Sequence, residues 1–180
     1  MGFGLQIVVD TTAARAKLTR VGQRFDEKKY LNLIGVALLY WVDQNFKKEG
    51  IEIKWRPLSP NTIAARRKNG RGAKILQDTG RLKMSFIDKY SVYGDQWVQV
   101  GSNDPRAEWH HKGTRPYTIR PVRAKMLRFM TTNGWAFAKE IHHPGLPSRP
   151  LLPSERAASD IAMKTMNAFV QTVIDEANRT

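Results

Sequence analysis

Between residues 26 and 47 apolar side chains recur every three or four positions, at Tyr30, Leu33, Ile34, Ala37, Leu38, Trp41, Val42 and Phe46. Asp26, Lys29, Asp43 and Lys47 fall mostly elsewhere, so the spacing predicts an amphipathic helix that Gly50 ends. A second helical period runs from Ser154 onward through Ile161, Met163, Met166, Phe169, Val170, Val173 and Ile174. Other stretches change period. Leu5-Gln6-Ile7-Val8-Val9 is β-prone and stops at Asp10-Thr11-Thr12, a cluster suited to capping the weak helical pattern from Ala13 to about Gly22. Tyr90, Val92, Trp97, Val98 and Val100 surround Gly94-Asp95 and predict a β-hairpin whose second strand stops at Gly101. Lys125 to Met130 and Trp135 to Ile141 flank Thr132-Asn133-Gly134 and predict a second hairpin, projecting from the domain. Ile51, Ile53 and Trp55 alternate with Glu52 and Lys54 until Pro57 and Pro60 break the pattern. Ser59 or Asn61 can cap a short helix ending at Lys68, Asn69-Gly70-Arg71-Gly72 reads as a flexible loop, and Arg81 to Phe86 reads as another helical turn.

These elements fit one domain over residues 1–180, with a long loop or hairpin excursion at about 105–153 that holds most of the prolines and all four histidines. No run approaches the ~18 apolar residues of a membrane-spanning helix and no signal peptide is evident, so the expectation is a soluble protein without a membrane partner. The absence of cysteine excludes disulfides, thiolate metal sites and a cysteine nucleophile.

Charge changes the picture most. A formal net charge of +14 and 30 Lys and Arg residues suit anionic partners, whether nucleic acid, an anionic membrane surface or acidic protein, and charge alone does not choose among them. Two dense stretches stand out, Arg66, Arg67, Lys68, Arg71 and Lys74, then Arg115, Arg120, Arg123, Lys125 and Arg128. These ten are the candidate partner-contact or DNA-contact residues. No aromatic interleaves with the first stretch in the sequence to stack bases, and it reads as a solvated loop or as one that orders only against an acidic partner.

Reactive chemistry finds little support. His110-His111 and His142-His143 are adjacent pairs without the spacing or carboxylates of a zinc site, and they read as structural residues at the base of the second hairpin. Asp78, Asp88 and Asp104 each adjoin a turn, and Ser59, Ser85 and Ser148 lack a nucleophile-elbow context. No catalytic, metal or cofactor residue is expected, and the chain is not expected to be an enzyme.

Several landmarks then occur in a particular order: Trp55-Arg56-Pro57-Leu58-Ser59-Pro60 with Thr62, and Ile75-Leu76-Gln77-Asp78-Thr79-Gly80-Arg81-Leu82 with Ser85. Next come Val98-Gln99-Val100-Gly101-Ser102, His111-Lys112-Gly113-Thr114, Leu127-Arg128-Phe129, His143-Pro144-Gly145 and Ser148-Arg149-Pro150-Leu151-Leu152. In order and spacing they resemble the tailed-bacteriophage virion-morphogenesis and tail-completion proteins of lambda-, Mu- and P2-like phages. Ala107-Glu108-Trp109-His110 departs from the Tyr-Ala found there in many relatives. The resemblance implies an α+β fold with long N-terminal and C-terminal helices packed on a small antiparallel sheet. It implies a non-enzymatic virion protein of the neck or tail, made in the host bacterial cytoplasm, that completes or terminates the tail or forms a head–tail connector. Its expected partners are further copies in a homo-oligomeric ring, six or alternatively twelve, together with other neck and tail-tube proteins and non-specific contact with phage DNA. The alternative function is that of a basic nucleic-acid-binding protein.

Overall fold

The computed structural model describes residues 4–12, 26–87, 90–93 and 97–178. The weak helical pattern at Ala13 to Gly22, the turn at Gly94-Asp95 and Asp88 lie outside those residues. The architecture is α+β, with long helices near both ends, small antiparallel sheets and a hairpin, in agreement with the fold class that the resemblance implied. None of the described helices is long and apolar enough to cross a membrane. Two compact units divide the chain, one of residues 1–44, 85–103 and 152–180, the other of residues 45–84 and 104–151.

In the first unit, β1 (Leu5–Asp10), β2 (Tyr90–Tyr93) and β3 (Trp97–Ser102) form one antiparallel sheet in the order β1-β3-β2. Ile7 faces Val100 and Val9 faces Val98 across the first pair. Helix α1 (Glu27–Lys47) starts where the Asp26 carboxylate accepts the Lys29 N–H at 3.0 Å, satisfying one of the amides that a helix start leaves without a partner. Most of α1 belongs to this unit, as does the C-terminal helix α5 (Glu155–Asn178). Tyr30 of α1 stacks on Phe169 of α5 with ring centroids 6.0 Å apart, and burial pushes the Tyr30 phenol up to about 12. Leu31, Ile34, Leu38, Val42, Phe86, Val98, Val100 and Met166 are buried as well.

In the second unit the C-terminal turn of α1 leads into Trp55, whose ring meets Phe46 edge-on at 5.4 Å. Helix α2 (Pro60–Lys68) is capped by Ser59, whose hydroxyl accepts the Thr62 N–H, with Pro60 at the helix start. Helix α3 (Arg81–Ile87) spans the division between units. Helix α4 (Pro105–Lys112) is followed by β4 (Tyr117–Ile119), β5 (Leu127–Thr131), β6 (Gly134–Ala138) and β7 (Ile141–His143). β5 pairs with β6 as the second hairpin, while β4 pairs with β7 as a separate ladder outside it.

Three sequence expectations require correction. α4 lies where the proline-rich stretch from residue 105 read as loop, and it carries His110 and His111 on a helix. Leu33 is 40% exposed whereas Leu31 is fully buried, so the core stripe of α1 is rotated from the one the periodicity picked out. Trp41 is only half-buried. Ile51 and Ile53 are exposed in a bent segment that pairs with no described strand, their alternation reflecting a chain that turns at Gly50.

Candidate functional site

The first basic stretch is tied down at one end. Arg66 is half-buried, its Nη1 donates to the Lys74 carbonyl at 2.7 Å, and its Nε lies 3.6 Å from Asp78 Oδ1. Arg71 bonds the other oxygen of Asp78 at 2.8 Å. Asn69 and Arg71 also donate their amides to the Arg66 carbonyl, so the Asn69–Gly72 loop begins as a hydrogen-bonded helix ending. Arg66 and Arg71 therefore hold the loop, and Asp78 serves an ion pair. Arg67 and Lys74 point to solvent without a carboxylate partner among the described residues.

The second stretch runs into the β5–β6 hairpin. β5 packs along α2, and the hairpin tip is fixed where the Thr132 amide donates to the Asn61 side chain at 3.0 Å. This brings Trp135 of β6 against both basic stretches: Lys68 Nζ lies 4.8 Å and Arg128 Cζ 3.9 Å from its ring centroid, within cation–π range. An aromatic thus does interleave with the basic residues in space, although 67 positions separate it from Lys68 (135 − 68). Arg120 pairs with Glu140 at 3.0 Å. Arg115, Arg123 and Lys125 are exposed and have no carboxylate partner among the described residues. Of the ten candidates, five are engaged within the unit and Arg67, Lys74, Arg115, Arg123 and Lys125 remain available.

Elsewhere in this unit, residues that charge counting passed over form a cleft. Ser148-Arg149-Pro150-Leu151 runs as an extended strap beside α4. The Arg149 amide donates to the His110 carbonyl at 2.7 Å, the Ser148 hydroxyl to the His111 carbonyl at 2.7 Å, and the Leu151 amide to His111 Nδ1 at 3.1 Å. On the strap's other side the Pro150 carbonyl accepts both the Asn45 side-chain amide at 2.9 Å and the Trp55 indole at 3.2 Å. Asn45 Oδ1 in turn accepts the Ile51 amide at 2.9 Å. Gly145 turns the chain between β7 and the strap at φ +88°, where a Cβ would run into the Thr114 carbonyl.

The cleft so framed has a volume of about 750 Å³ and draws its walls from Arg56 to Pro60, Leu76 to Leu82, α4, and His143 to Arg149. Four of the landmark segments in the sequence meet around it. His110 and His111 are both held below the ordinary histidine range, chiefly because burial penalises the imidazolium. For His110 the Arg149 guanidinium adds to that effect, and for His111 Lys112 does. Both are therefore neutral near pH 7, consistent with His111 Nδ1 acting as an acceptor. Among the described residues no three metal-binding side chains cluster. Asp104 caps α4 and pairs with Arg106, which holds its carboxyl below the usual range.

Comparison with curated proteins and with solved structures finds no match. A family model does match, and it spans nearly the whole chain, including every segment that frames the cleft and the basic face. Matched over residues 9–171, the chain belongs to the phage virion morphogenesis family.

Proposed function

We propose that the chain is a structural subunit at the phage head–tail junction, acting in tail completion or termination or as a neck ring, through protein contacts and without a reaction of its own. Family membership, which assigns a role in virion assembly, carries this reading. The five available basic residues support it, since cations without internal partners are the ones free to meet acidic neighbours or the DNA that passes through a tail channel. Six copies would match tail symmetry and twelve a portal-like ring. The test is deletion of the gene in its phage followed by electron microscopy of the lysate. Filled heads and separate tails that fail to join are the expected products, and joined infectious particles at the parental yield would refute the proposal.

A second reading has one observation in its favour. Trp135, within cation–π range of both Lys68 and Arg128, combines an aromatic surface with cations, the pairing that single-stranded nucleic acid exploits. A dedicated nucleic-acid binder would keep useful affinity near physiological salt and lose it steeply as salt rises, whereas a structural subunit would bind DNA only at low ionic strength.

A further inference from the structure

Arg149 is an anomaly in the cleft. It is 6% exposed, its Nε forms no hydrogen bond, and no carboxylate lies within ion-pair distance of it among the described residues. Its one side-chain bond runs from Nη2 to the Arg56 carbonyl at 3.0 Å, a neutral acceptor. Beside it His110 Nδ1 is buried and also lacks a partner. A buried cation without an opposite charge is costly, and folded proteins normally pair such groups. The neighbouring cations on the cleft wall face carboxylates, Arg106 that of Asp104 and Arg66 that of Asp78, whose Oδ1 is itself buried without a hydrogen bond among the described residues. Arg149 is the buried cation on this wall without a carboxylate among the described residues, and the exposed Arg56 lines the same cleft. Leu76, on the same wall, holds a left-handed φ of +58°, a strained conformation of the sort found where a ligand site is being shaped.

From these observations we infer that the cleft receives a carboxylate borne by an extended, otherwise apolar peptide segment of another virion protein. The identification of the partner rests on the assembly role proposed above. The carboxylate supplies the charge Arg149 lacks, in the two-pronged geometry a guanidinium favours, and His110 lies within the same walls. Pro57, Leu58, Leu146 and Pro147 supply an apolar lining for the flanking residues. A nucleic-acid strand fits worse. Its phosphates recur at every nucleotide and call for a row of exposed cations, whereas this cleft offers one buried cation without an ion pair among the described residues, beside prolines and leucines.

The experiment uses the purified full-length protein and two pools of N-acetylated, C-amidated hexapeptides. Both pools carry Leu, Pro, Val and Ala at the flanking positions; one has Glu at the third position and the other Gln. Binding is followed by the Arg149 side-chain Nε–H resonance, assigned by its loss in Arg149→Gln, and by fluorescence anisotropy of labelled pools. The Glu pool is expected to shift that resonance saturably and to bind at least tenfold more tightly than the Gln pool. Leu58→Asp, which puts a carboxylate at the cleft mouth, is expected to lower Glu-pool binding at least tenfold while leaving the circular dichroism and melting of the protein unchanged. Equal affinities for the two pools, an unmoved Arg149 resonance, or tighter binding to oligothymidylate or inorganic phosphate would overturn the inference. The assay involves no phage, so a cleft that binds the Glu pool alongside normal particle assembly in the gene deletion would sink the assembly role and leave the site standing.

Discussion

Replacing Asn45 by Ala removes a side chain that is 1% exposed and that joins two distant segments. Its amide donates to the Pro150 carbonyl at 2.9 Å, and its oxygen accepts the Ile51 N–H at 2.9 Å. A net intramolecular hydrogen bond contributes about 1 kcal/mol, and a buried partner left unmet costs about 1–3 kcal/mol more. The Pro150 carbonyl keeps the Trp55 indole as a donor, the Leu151 carbonyl loses only a long contact of 3.4 Å with the Asn45 amide, and the Ile51 amide lies near enough to solvent to recover part of its loss. The expected destabilisation is therefore about 2–3 kcal/mol, below the roughly 4–8 kcal/mol that losing both bonds and stranding both partners would give. For a chain of this size that corresponds to a melting shift of about 4–12 °C. Urea unfolding followed by tryptophan fluorescence suits the measurement, because Trp55 bonds the same carbonyl. Asn45→Asp keeps the Ile51 bond, loses the donor to Pro150 and adds a buried charge, so it should cost more than Ala. If Asn45→Ala unfolds within 0.5 kcal/mol of the parent, a threshold about half of one net hydrogen bond, the strap is not held as described.

Other substitutions separate core from surface. Leu38→Ala should cost about 2–5 kcal/mol as a fully buried aliphatic, and half-buried Trp41→Ala should cost less than Leu38→Ala; equal losses would restore Trp41 to the core. Gly145→Ala should lower the melting temperature clearly, because the left-handed φ and the Thr114 carbonyl both oppose a Cβ; an unchanged melt would refute the close approach. Because burial depresses His110 and His111 in the folded state, the unfolded chain binds more protons below the ordinary histidine pKa of about 6.5. Stability contributed by these two residues is thus complete above about pH 6.5 and falls as pH drops below it, and a double His110→Gln, His111→Gln variant should show a flatter dependence between pH 7 and 5 by chemical unfolding. Changing Arg67, Lys74, Arg115, Arg123 and Lys125 to Ser should leave circular dichroism and melting intact yet reduce the yield of infectious particles in complementation; a parental yield would show those cations to be solvated surface only.

The long elements were legible because their signals are local. The recurrence through α1, the closing helix and the turn residues of the second hairpin each lie within a few positions of one another. What escaped depends on contacts far apart in sequence. The stripe of α1 was misphased because Leu31 and Leu33 are equally apolar, and only packing decides which of them is buried. Helix α4 was hidden among prolines, although Asp104-Pro105 is itself a helix-start signal that could have found it. Arg149 read as one basic residue among 30, and its burial follows from the strap between Trp55 and α4. Likewise Trp135 gave no sequence sign of meeting Lys68, since the two are joined by the packing of a hairpin on a helix.

The bonds to the Pro150 carbonyl also set a schedule for synthesis. They span 95 and 105 residues, so the Asn45 and Trp55 side chains emerge from the ribosome long before their acceptor exists. Until then the segment after α1 has no strap to close against it, and its aromatic surface is accessible to chaperones or to other nascent chains. Contacts of such long range form late, so closure of the strap over Asn45 and Trp55 waits until translation is nearly over, whereas α2 and the β5–β6 hairpin need only chain made earlier.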